Sequence, residues 1–170
     1  RMGLRIVAAE DSYLIREGLR LLLETQPDLE LAATAGTLPE LLAAVEAETP
    51  DVVITDIRMP PGESDEGIRA AEEFARTRPS LAVVVLSQYM EPEWALRLFE
   101  PTAARRGYLL KERVGDLAQL RAALETVAAG GSVLDPLVVD ALVRARERRA
   151  SSPLERLSPR EREVLALVAE

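Results

Sequence analysis

The chain has 170 residues, 48% of them hydrophobic and only 4% aromatic, and carries a net charge of −8. This is enough for one compact domain and part of another, with a core of Leu, Val, Ile and Ala rather than rings. Without Cys or His, disulfides, thiolate or imidazole metal sites and histidine acid–base chemistry are excluded; a metal here would be a hard, oxygen-ligated ion, and the acidic balance argues against nucleic-acid binding by these residues alone.

No apolar run approaches the length that spans a bilayer, and the start does not resemble a signal peptide. Residues 4–9 read as a strand that stops at the carboxylate pair Glu10-Asp11. Ser12 can cap the next helix, whose apolar face is Leu14, Ile15, Gly18, Leu19 and Leu22. A second strand falls at 29–35. Thr37 can cap a second helix with Leu38, Leu41, Leu42 and Val45 on one side, and Thr49-Pro50-Asp51 breaks it.

Val52-Val53-Ile54-Thr55 reads as a strand buried on both faces, ending at Asp56. Met59-Pro60-Pro61-Gly62 then forces a loop, in which Glu63, Asp65 and Glu66 read as solvated and helix-capping residues. A helix follows to residue 77, with Ile68, Ala71 and Phe74 as its apolar stripe. Residues 81–86 are the most apolar strand and stop at Ser87. A shorter helix over 91–99 carries Trp94, read as a packing residue. A fifth strand at 107–110 stops at Lys111, and a helix over 117–129 is closed by Gly130-Gly131. Strand and helix thus alternate five times, the pattern of an α/β fold with a doubly wound parallel sheet and right-handed crossovers.

The tail differs. A helix starting at Asp135-Pro136 becomes basic through Arg144, Arg146, Arg148 and Arg149, and residues 150–153 read as a hinge. Leu157-Ser158-Pro159-Arg160-Glu161 is a helix start, with Ser at the cap, Pro at the first position and Glu three residues on. The apolar face begun by Val164, Leu165 and Val168 cannot be buried by one helix, so the expectation is that the chain ends inside a second domain.

Glu10-Asp11, Asp56, Ser87 and Lys111 all fall at carboxyl ends of strands, the edge where open α/β sheets hold ligands. Taken singly, each is also an ordinary turn, cap or strand terminus. Together they make a set suited to phosphoryl transfer: crowded carboxylates that a divalent cation would relieve, a carboxylate nucleophile, a fixed ammonium and a hydroxyl.

On these residues the chain resembles a bacterial two-component response regulator. Residues 3–130 are similar to a receiver domain, through Glu10-Asp11, Thr55-Asp56-Ile57-Arg58-Met59-Pro60, Ser87 and Tyr108-Leu109-Leu110-Lys111. Residues 131–156 would be a helical linker, and 157–170 resemble the start of a LuxR-type helix-turn-helix domain of the NarL/FixJ subfamily. The resemblance implies a flavodoxin-like sheet of order 2-1-3-4-5 and a cytoplasmic, membrane-free regulator rather than an enzyme with its own substrate. It implies Asp56 as phosphoacceptor for a sensor histidine kinase. Mg2+ would be held by Asp11, Asp56 and the Arg58 backbone carbonyl, with Glu10 acting through water. Lys111 and Ser87 would bind the phosphoryl group, and Tyr108 would switch between exposed and buried positions. Homodimerisation on phosphorylation is implied, and DNA binding through the second domain. Two rival readings stand beside it: an aspartyl phosphohydrolase, which lacks the usual second Asp because Arg58 occupies that position, and an interaction module that keeps only the fold.

Overall fold

The computed structural model describes residues 3–89 and 91–150. The start resembling a LuxR-type domain, at 157–170, and the end of the expected linker lie outside these residues. The elements are β1 (Leu4–Ala9), α1 (Tyr13–Glu24), β2 (Leu29–Ala35), α2 (Leu38–Glu48), β3 (Val52–Asp56), α3 (Glu66–Thr77), β4 (Ala82–Ser87), α4 (Pro92–Phe99), β5 (Arg106–Leu110), α5 (Leu117–Ala128), β6 (Ser132–Leu134) and α6 (Pro136–Ala150), with a 3-10 turn over Lys111–Gly115.

All strand pairings are parallel, in the order β2-β1-β3-β4-β5-β6. The expected order is kept and extended: Ser132–Leu134, at the head of the expected helical linker, adds a sixth strand beside β5. Gly130, at φ +102°, makes the turn out of α5. The short strand then satisfies the backbone edge that β5 would otherwise present to solvent. Its three residues between glycines and Asp135-Pro136 carry too little periodicity to be read as a strand.

The strands are apolar at consecutive positions because each sheet face is covered. Val7, Val53, Val83, Val85 and Tyr108 meet Leu41, Val45, Ile68, Phe74, Leu98 and Val138 from α2, α3, α4 and α6. Ile6, Ile54, Val84 and Leu86 meet Leu19, Leu23, Leu120 and Leu124 from α1 and α5. Each such side chain contributes about 1.5–3 kcal/mol on burial. In α1 the buried face is Leu19 and Leu23; Leu14, expected inside, is 81% exposed, and Tyr13 and Leu21 also face outward. The helix is rotated so that its buried stripe runs through Leu19 and Leu23 and leaves Leu14 outside.

α6 is joined to the sheet by a buried carboxylate. Asp135 accepts the Leu110 amide at 3.2 Å, the Leu137 amide at 3.0 Å, and the Arg113 guanidinium at 3.0 and 3.3 Å. Burial alone would raise its pKa, but Arg113 and the amides hold it below the ordinary carboxylate value. Val138 and Leu142 then seat the helix in the core. Asp135→Ala strips these donors of their acceptor and is expected to cost about 3 kcal/mol in urea denaturation. Because the folded pKa is depressed, the stabilisation by Asp135 is present above the unfolded value of 3.8 and fades as pH falls through the lower folded one.

Candidate functional site

The register of the sheet assembles the site. Ala9 pairs with Thr55, which sets Glu10 level with Asp56 across the β1–β3 switch point; Ser87 pairs with Leu110, which puts Lys111 one step beyond. The Lys111 ammonium lies 3.0 Å from Asp56 Oδ2 and 3.2 Å from Glu10 Oε2. Asp56 Oδ1 accepts the Ile57 amide at 2.8 Å, and Glu10 Oε1 accepts the Ser12 amide at 3.2 Å. Carboxylate oxygens of Glu10, Asp11 and Asp56 lie within 4.8 Å of one another. Glu10 and Asp56 are buried, whereas Asp11 is exposed at the mouth.

Three carboxylates facing one ammonium leave an uncompensated negative charge. Burial, then the charge of Asp56, pushes the Glu10 carboxyl up to about 7. Burial raises Asp56 as well, against the pull of Lys111. Burial would lower Lys111, but Asp56 and Glu10 together hold it above the ordinary ammonium value. Glu10 Oε2 is buried without a hydrogen-bond partner, the nearby ammonium being badly angled for one. An all-oxygen donor set with excess charge and an unsatisfied buried oxygen fits a hard divalent cation.

Ser87 closes β4 at this edge, Tyr108 lies two residues inside the end of β5, and their hydroxyls bond elsewhere. The Ser87 hydroxyl donates to the Tyr89 carbonyl at 2.7 Å. Tyr108, expected to alternate between exposed and buried positions, is here fully buried, with its hydroxyl on the Glu91 carbonyl at 3.3 Å. The Arg58 side chain turns away from the cleft to Glu91, at 2.9 Å.

Glu66 corrects the reading of the loop. It is buried rather than solvated, and its carboxylate accepts the Gly62 amide at 2.7 Å, the Ser64 amide at 2.8 Å and Arg69 at 3.0 Å. It pins the loop that follows Asp56, a positioning role with no separate signal in the acidic run. Asp65 makes no capping hydrogen bond and pairs instead with Arg69 and Arg97. Gly67 closes the loop from behind: its amide donates to the Ile57 carbonyl at 2.8 Å, and a Cβ there would stand 1.9 Å from the Asp56 carbonyl oxygen.

A flavodoxin-like sheet with an acidic pair, a central Asp and a Lys at its carboxyl edge defines a receiver domain, and the response regulator receiver domain model matches residues 6–125. The chain belongs to the response regulator family. It is 36% identical over 168 residues to the transcriptional regulatory protein MctR of Rhizobium johnstonii, covering 99% of this chain and 74% of that protein. It is 32% identical over 173 residues to the oxygen regulatory protein NreC of Staphylococcus carnosus, covering 98% and 77%. Among solved structures, a LuxR-family two-component response regulator from Aurantimonas sp. SI85-9A1 superposes with a TM-score of 0.71 at 25% identity, over 85% of this chain and 99% of that one. These relatives are regulators rather than enzymes of metabolism.

Two outcomes follow from this geometry. A carboxyl raised in the fold keeps a proton that the unfolded chain has lost, so without a cation Glu10 costs stability as pH rises from 4.5 to about 7. Added Mg2+ is therefore expected to raise the melting temperature more at about pH 8 than at about pH 5, as read by scanning calorimetry. Gly67→Ala is expected to lower stability by about 1–3 kcal/mol in urea titration, because the Asp56 end of β3 has to move.

Proposed function

We propose that Asp56 accepts a phosphoryl group from a phosphohistidine on a sensor histidine kinase, and that this controls a LuxR-type DNA-binding domain. The observation that carries the reading is the Asp56 carboxylate at the end of a buried strand, 3.0 Å from the Lys111 ammonium. An Asp56 oxygen forms the new O–P bond as the N–P bond of the donor breaks; the released imidazole takes a proton from solvent. Lys111 offsets charge on the oxygens of the transferring group, and the Ile57 amide orients the carboxylate. Mg2+ would be held by Asp11, Asp56 and the Arg58 carbonyl, with Glu10 reaching it through water, and would supply Lewis-acid stabilisation of the same charge.

Ser87 would leave the Tyr89 carbonyl to donate to a phosphoryl oxygen. Tyr108, one strand over, would follow the vacated space, coupling the site to α4. Such a change supports phosphorylation-dependent homodimerisation and regulated DNA binding by a second domain, in a cytoplasmic protein. Among the described residues no helix is long and apolar enough to cross a membrane.

Incubation with acetyl phosphate and Mg2+ is expected to add one phosphate-sized mass, measured on the intact chain, and Asp56→Ala is expected to abolish it. No mass gain, or a gain that survives this substitution, would end the reading.

A further inference from the structure

α4 starts differently from α1, α2 and α5. Ser12, Thr37 and Asp116 cap those helices through their side chains, whereas the N-cap residue of α4, Glu91, makes no capping hydrogen bond. Its carboxylate turns outward: one oxygen accepts from the Arg58 guanidinium at 2.9 Å and the other from the Trp94 indole N–H. Its carbonyl accepts the Tyr108 hydroxyl at 3.3 Å. Trp94 has two cations against its ring, with the guanidinium carbons of Arg58 and Arg97 5.9 and 5.6 Å from the ring centre. Arg97 is anchored to the α3 side, 2.8 Å from Asp65 and 2.7 Å from Glu72. The shortest of the described helices, α4 is therefore held at its start by a chain of charge contacts whose outer end is Arg58.

Arg58 is two residues beyond Asp56, and its side chain is 44% exposed, so the guanidinium has room to move. An aspartyl phosphate would place nearly two negative charges and three acceptor oxygens where one carboxylate stood. A planar guanidinium engages such a group through two parallel bonds. Glu91 offers one charge, and one of its oxygens already serves Trp94. Resting on the reading of Asp56 as the phosphoacceptor, we propose that Arg58 is a phosphoryl-binding residue held in reserve: it exchanges the Glu91 carboxylate for the phosphoryl oxygens on Asp56, and the broken pair frees the start of α4. Glu91 is then a competitor for Arg58, and the occupancy of the pair reports the state of the site.

This competition has a sign that a merely structural network lacks. The full chain is titrated with beryllofluoride in Mg2+, a stand-in for the phosphoryl group, by calorimetry, while emission is read from Trp94, the sole Trp. The wild-type chain is expected to bind, with a change in Trp94 emission as Arg58 departs. Arg58→Ala is expected to bind about tenfold more weakly, the loss of one charge-assisted contact, and Arg58→Lys to recover part of this. Glu91→Gln is expected to bind more tightly than wild type, its unloaded emission already displaced toward that of the loaded protein. Equal affinity for Arg58→Ala and wild type, a Glu91→Gln chain that binds no more tightly, or unmoved Trp94 emission in the loaded wild-type chain would overturn the inference. A wild-type chain that binds no beryllofluoride and gains no phosphate mass would remove the Asp56 reading as well, so the two failures are told apart.

Discussion

One ammonium facing three carboxylates is the interaction on which the site depends. Lys111 touches Asp56 and Glu10 at once, while Asp11 adds a third acid to the same cluster. The fold tolerates this because the backbone amides of Ile57 and Ser12 share in holding the two buried acids. Burial, with the charge of Asp56 added to it, keeps Glu10 up at about 7. Such a cluster is poorly stable and well prepared: charge that arrives from outside, as a cation or a phosphoryl group, changes its balance at once. The sheet register supplies the precision, since a slip of one residue in β1 or β5 would carry Glu10 or Lys111 away from Asp56.

Two sets of contacts lead out of the cleft, and their physics differ. Ser87, Tyr108 and Arg58 lie toward α4, whose start is held by ion pairs and an indole rather than by a cap. On the other side, the turn that begins at Lys111 carries Arg113, which is locked to Asp135 at the head of α6. The first runs from the buried Ser87 and Tyr108 out to Arg58, whose side chain is half exposed. The second ends on a buried carboxylate, Asp135, that accepts from Arg113 and from two backbone amides, which makes it a firm attachment.

Much of this was legible in the order of residues. Both-face burial of β3 and β4 follows from unbroken Val and Ile runs, and the convergence of Glu10, Asp56, Ser87 and Lys111 follows from each closing a strand of a parallel sheet. Caps at Ser12 and Thr37 were equally plain. What escaped depends on rotation and on distant partners. Leu14 and Leu23 both satisfy a helical period, and only packing on β1 and β3 decides between them. Glu66 cannot be told from Glu63 or Asp65 until the loop folds back to offer it amides. Arg106 opens β5 one residue before the strand read from the sequence; its guanidinium donates to the Leu81 and Arg105 carbonyls, both at 3.0 Å, and burial lowers its pKa to about 10.

β6 and α6 move the border of the signalling unit. A fragment cut after the last turn of α5 would lose the three-residue strand that shields β5, the acceptor that satisfies Arg113, and the two side chains, Val138 and Leu142, that close the core over α4. The segment that leads away from the sheet is thus also one of its walls. In a regulator built this way the border of the receiver is set by packing and a buried ion pair, not by where the fifth helix stops.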